Sequence, residues 1–63
     1  MVKFLELEEY SPESHTKIKL LINPVTISLI KQSGLYTLLI LSGGKELRIS
    51  ESPHTILTLI NNI

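Results

Sequence analysis

The sequence predicts an α+β domain: a small five-stranded, mainly antiparallel sheet or partly open barrel with one C-terminal helix. Two patterns predict it. Five short segments, separated by Pro, Gly and Ser, carry apolar residues at strand length and mostly at every second position. The final stretch instead spaces Ile and Leu at helical intervals behind a Ser-Pro start. A chain of 63 residues holds one small domain, taken as residues 1–63.

The first strand is expected over Val2 to Glu8, followed by a polar loop from Glu9 to His15 that contains Pro12. Thr16 to Ile22 alternates, with Ile18, Leu20 and Ile22 on one face and Lys17, Lys19 and Leu21 on the other. Asn23-Pro24 breaks that strand, because Pro24 has no N–H for a ladder and biases Asn23 towards extended geometry. Val25 to Gln32 alternates again: Val25, Ile27 and Leu29 oppose Thr26, Ser28 and Ile30. Ser33-Gly34 signals a turn. Leu35 to Leu41 is a nearly continuous apolar run of strand length.

Gly43-Gly44 permits a two-residue primed hairpin turn, since both glycines reach positive φ at little cost. That turn sets Ile40 opposite Leu47 and Leu38 opposite Ile49. Leu38, Ile40, Leu47 and Ile49 then share one face, and Leu39 and Leu41 take the other. Ser52 is placed to cap a helix, with Pro53 at its first position; Ile56, Leu59, Ile60 and Ile63 form its apolar side and Leu57 widens it. So short a helix must dock on the sheet to persist.

Composition narrows the function classes. Twenty-one residues are Leu or Ile, while Ala, Cys, Trp and Asp are absent and the formal net charge is zero. A disulfide scaffold, a zinc-thiolate site, a disordered chain and a strongly basic tail are thereby excluded. No segment approaches the roughly 18 apolar residues of a membrane span, so no membrane insertion is expected, and the chain is read as cytoplasmic. A domain this short buries only roughly 60% of its unfolded surface. With neither disulfides nor an evident metal to assist, association becomes the expected remedy.

The apolar surplus points the same way. One short helix covers part of one sheet face, and burying a Leu or Ile side chain is worth about 1.5–3 kcal/mol. Leu39, Leu41, Leu21 and Ile30 are therefore the candidate interface residues of a homo-oligomer, a dimer being the default symmetry.

Catalytic chemistry finds little support. Without Asp or Cys there is no Ser-His-Asp set and no thiol nucleophile, and Glu8 and Glu9 point to opposite faces of a strand. His15 and His54 lack a third ligand, so no metal or cofactor is expected. Ser42-Gly43-Gly44-Lys45 lacks the full spacing of a phosphate-binding loop and joins two strands. Charge is uneven: residues 1–15 carry Glu6, Glu8, Glu9 and Glu13 against Lys3, and the remainder has a surplus of cations. Lys17, Lys19, Lys31, Lys45 and Arg48 are the candidate contacts for an anion or a nucleic acid. Of the three aromatics, Phe4 and Tyr36 fall in strand patterns where core packing is expected.

Residues from Leu20 to Ile60 carry a family likeness. The carrying residues are Leu21-Ile22-Asn23, Ile27, Ile30, Thr37-Leu38-Leu39-Ile40-Leu41, Gly44-Lys45, Ser50-Glu51-Ser52, Ile56 and Ile60. In these the chain resembles the FlbD-like family of small bacterial flagellar and swarming-motility proteins. The resemblance implies a non-enzymatic accessory or regulatory protein without a cofactor, and it contributes turn and cap positions, not a catalytic site.

Three functions follow as expectations. The first is a small homo-oligomeric interaction or accessory module that binds a protein partner through an apolar sheet face or edge. The second is a nucleic-acid-binding regulator using strand-face Lys and Arg. The third is a phage- or mobile-element-encoded protein that binds a host factor or a small anionic ligand. An enzyme is not expected.

Overall fold

The computed structural model describes residues 3–13 and 17–63. Val2, His15 and Thr16, which belong to the expected first strand, loop and second strand, lie outside the described residues. Five strands and one helix follow in order: β1 Leu5–Glu8, β2 Lys19–Ile22, β3 Ile27–Ser33, β4 Tyr36–Leu41, β5 Glu46–Ile49 and α1 Pro53–Asn61, with a 3-10 turn at Pro24–Thr26 between β2 and β3. The α+β class holds, with all strand pairs antiparallel.

The strands divide into two sheets, β1-β2 and β3-β4-β5. An antiparallel bridge between Glu9 and Ile49 stitches them together. It is flanked by Tyr10 N–H donating to the Arg48 carbonyl at 2.9 Å and Ser50 N–H donating to the Glu8 carbonyl at 2.8 Å. Glu9 N–H also reaches the Ile18 carbonyl at 2.9 Å, so strand-like pairing runs into what the sequence suggested was loop.

The β1-β2 register pairs Leu5 with Ile22 and Leu7 with Leu20, so alternation places this apolar set inward and Glu6, Leu21 and Lys19 outward. Beyond β2, Asn23 ends the strand in a way its side chain makes possible. Its Oδ1 accepts the Val25 N–H at 3.0 Å, and its carbonyl accepts both the N–H and the hydroxyl of Thr26. Pro24 at the first turn position gives up no needed donor. Val25 and Thr26 therefore form a short turn instead of the start of β3.

Two registers differ from expectation. First, a bulge between Ile27 and Leu29 adds one residue to β3, so Ile27 pairs with Leu41 and Ile30 with Leu39. Ile27 and Ile30 consequently pack on the core together, and Leu29 turns outward. Second, the β4-β5 hairpin is not the two-residue turn proposed for Gly43-Gly44. Leu41 N–H donates to the Lys45 carbonyl and Gly44 N–H to the Leu41 carbonyl, which encloses a three-residue loop, Ser42-Gly43-Gly44. Both glycines have positive φ, 91° and 88°. The register becomes Thr37 with Ile49, Leu38 with Arg48, Leu39 with Leu47 and Ile40 with Glu46. Shifting by one residue exchanges the two faces of β4. The two-residue primed turn occurs one hairpin earlier: Ser33 pairs with Tyr36 around Gly34-Leu35, so Leu35 sits in the turn and not in β4. Gly34 supplies the positive φ, 63°, that a type II′ turn needs at its first central position.

The core lies between the two sheets and under α1. Leu5, Leu7, Ile22, Leu39, Ile49 and Ile56 are buried in one cluster, and Leu20, Ile27, Ile30, Leu41, Leu47, Leu59 and Ile60 pack around it. Ser52 Oγ accepts the Thr55 N–H at 3.1 Å and Pro53 opens the helix, as its sequence predicts. Leu57 and Ile63, assigned to the helix's apolar side, are exposed instead. No described helix is long and apolar enough to cross a membrane.

Candidate interaction site

The register exchange relocates the candidate interface. Leu39 is fully buried in the protomer's own core and offers nothing to a partner. Ile30 is half-buried and packs on the same core. Leu41, also half-buried, lines an open cleft of about 260 Å³ together with Leu20, Leu21, Ile22, Asn23, Thr26, Lys45 and Leu47. Leu21, 69% exposed, is the one proposed interface residue that stands well out of its fold. Leu21 and Leu41 therefore meet at one cleft, and Leu39 and Ile30 are structural.

The residues that replace them are those of the other β4 face. Strand pairing sets Lys31, Leu38 and Arg48 in one row across β3, β4 and β5, and Leu29, Ile40 and Glu46 in the next. Alternation turns these rows away from the core, because their neighbours Ile30, Leu39, Leu47 and Ile49 face it. Leu29 is 43% exposed, and Leu38 and Ile40 are half-buried. An apolar strip along the central strand is thus bordered by charges on the outer two.

The strip ends in an aromatic group. Tyr36 pairs with Ser33 beyond Lys31, and its ring lies 5.3 Å from that of Tyr10, tilted by 55°. The Arg48 guanidinium carbon sits 5.6 Å from the Tyr36 ring centre, within cation–π range. Sequence alternation assigned Tyr36 to the core; it is half-buried on this outward face instead, and Phe4 is exposed as well. Phe4 before β1, Val25 in the 3-10 turn, Leu35 in the β3-β4 turn and Leu57 on α1 are exposed too.

The candidate cations fall in three places. Lys31 and Arg48 share the outward sheet face. Lys19 stands opposite Glu8 on β1-β2, with Lys17 exposed just before that strand. Lys45 lines the cleft. Both ends of the three-stranded sheet are managed: β3 carries a bulge and Lys31, and β5 is bridged to β1.

The polar residues of the family likeness have structural duties. Asn23 caps the 3-10 turn, Gly44 closes the hairpin and Ser52 caps α1. Glu51 accepts the Glu8 N–H through both carboxylate oxygens, while its carbonyl accepts the hydroxyl of buried Thr37 at 2.6 Å. Among the described residues, no group of three or more His, Cys, Asp or Glu side chains comes together. No family model, curated protein or solved structure matches the chain.

Proposed function

We propose that this chain is a small, non-enzymatic, cytoplasmic interaction or accessory module that self-associates through the outward face of its three-stranded sheet. The observation that carries this is the strip of Leu29, Leu38 and Ile40, framed by Lys31, Arg48 and Glu46 and ended by Tyr36. An apolar centre with a charged rim and nearby Tyr and Arg is the usual anatomy of an interface. The sheet also has the better-protected edges, which favours face over edge. We take the two sheets as halves of one partly open barrel ordered β2-β1-β5-β4-β3, since the Glu9–Ile49 bridge joins them. An accessory role of the FlbD-like kind fits the same reading, because the polar residues of that likeness hold turns and caps and leave the face free for a partner.

Sedimentation velocity across protein concentration tests it. Average mass should rise from protomer towards dimer as concentration passes from about 10 μM to about 500 μM, the weak regime expected of a small face. Leu38→Glu should keep the protomer mass throughout. A wild-type chain of constant protomer mass over that range would remove the proposal.

Tyr36, Arg48 and Lys31 on one face also favour a second reading, a platform for single-stranded nucleic acid. The apolar centre and the acidic Glu46 on the same face favour protein.

A further inference from the structure

Resting on the self-association reading, we infer that two copies pack face to face about a two-fold axis perpendicular to the strands, passing between the Lys31–Leu38–Arg48 row and the Leu29–Ile40–Glu46 row, so that Arg48 of each copy meets Glu46 of the other. The strand register supplies the layout. On the outward face, β4 contributes Leu38 and Ile40, β3 contributes Lys31 and Leu29, and β5 contributes Arg48 and Glu46, each pair two residues apart along its strand.

Face-to-face packing with aligned strands leaves two simple two-fold arrangements. An axis parallel to the strands lays β3 of one copy over β5 of the other within the same row. Lys31 then faces Arg48 and Leu29 faces Glu46, which sets like charges together and puts a carboxylate over an apolar side chain. An axis perpendicular to the strands lays each strand over its own counterpart but exchanges the rows. Leu38 then covers Ile40, the alkyl stem of Lys31 covers Leu29, and Arg48 meets Glu46 twice, both times along the β5 side of the contact. Only the second arrangement gives apolar contact at the centre and opposite charges at the rim.

The face is small. Three strands about 4.8 Å apart and six residues at about 3.3 Å each span about 14 by 20 Å. At about 280 Å² per copy it falls below the size of stable interfaces and gives only a weak, reversible dimer. Its partner choice is then set largely by the rim charges, because each substitution counts twice in a symmetric contact.

The test is charge exchange read by sedimentation. R48E and E46R alone should each weaken dimer formation about ten-fold or more, since each replaces two attractive pairs with two repulsive ones. An equimolar mixture of R48E and E46R should form a mixed dimer within about three-fold of the wild-type affinity, because the two variants are complementary only in this arrangement. Amide NMR spectra of each variant check that it is folded; should either reversal unfold the chain, R48Q and E46Q replace it, and each should then weaken the dimer by a smaller factor. A mixture that fails to recover overturns the inference. So does an R48E chain that associates as tightly as wild type or more tightly, which is the signature of the parallel axis; in both cases self-association itself stands. A wild-type chain that stays monomeric removes the underlying reading as well.

Discussion

Glu51 closes the gap between the two sheets by accepting the Glu8 backbone N–H at 2.9 and 3.2 Å, across 43 residues of chain. Ser50 has just given its own N–H to the Glu8 carbonyl, so the carboxylate acts as one more rung of the β1-β5 pairing where the chain turns towards α1. A charged acceptor in a partly buried place is stronger than a neutral one. Glu51→Ala should therefore destabilise the fold by about 1–3 kcal/mol, and Glu51→Gln, which keeps one carbonyl acceptor, by clearly less. Urea unfolding of the three chains measures this. An alanine variant as stable as wild type would mean that the rung contributes nothing.

Leu38 and Leu39 are adjacent in β4 and lie on opposite faces, one half-buried and one fully enclosed. Leu39→Ala should cost about 2–5 kcal/mol, the range for deleting a buried leucine. Leu38→Ala, measured at a concentration where the chain is monomeric, should cost less than about 1.5 kcal/mol. If the two costs were reversed, the hairpin would have the two-residue register of the sequence expectation.

That hairpin shows what the sequence could and could not convey. Strand number, helix position, the Ser52 cap and the inward placing of Leu20 and Ile22 in β2 were legible, because each rests on a one-sided apolar pattern or a residue with a single structural use; Ile18, expected on the same inward face, precedes β2 and is exposed. The faces of β4 were not. Tyr36, Leu38 and Ile40 are as apolar as Thr37, Leu39 and Leu41, so only the turn could choose between them, and Ser42-Gly43-Gly44 fits two loop lengths. The bulge at Ser28 was hidden for a similar reason: Ile27, Leu29 and Ile30 satisfy strict alternation about as well as its interruption. Two signals were present. Gly34 followed by Leu35 makes a primed two-residue turn, and a strand that starts at Tyr36 places the aromatic outward with Leu38 and Ile40. These two registers turn Leu39 and Ile30 onto the core, whereas Leu21 faces outward, as its alternation with Leu20 and Ile22 predicts.

Gly34 tests the turn chemistry without steric complication. A methyl group there would meet nothing within 4 Å, yet φ is +63°. Gly34→Ala should therefore destabilise by about 1 kcal/mol through backbone strain alone. Gly34→Asn should recover part of that loss, since Asn tolerates positive φ better than Ala does. Thermal unfolding read by circular dichroism gives both values. An alanine variant more stable than wild type would show that the native turn does not need a left-handed residue here.

Nucleic acid can be set against protein as the ligand of the outward face. Within the two central rows Lys31 and Arg48 oppose Glu46, the whole chain has no net charge, and the Tyr36 ring already holds Arg48 and Tyr10 against it. A base would have to displace those contacts, and few phosphates would be neutralised, so the electrostatic gain is small. Fluorescence anisotropy with a labelled single-stranded 20-mer at about 50 mM salt should show no binding up to about 100 μM protein. Micromolar binding that falls steeply with salt, and that Tyr36→Leu and Arg48→Gln each weaken, would reverse the assignment and make the tyrosine pair a stacking platform. Binding that falls with salt but ignores Tyr36 would place the phosphate contacts elsewhere, on Lys17, Lys19 or Lys45.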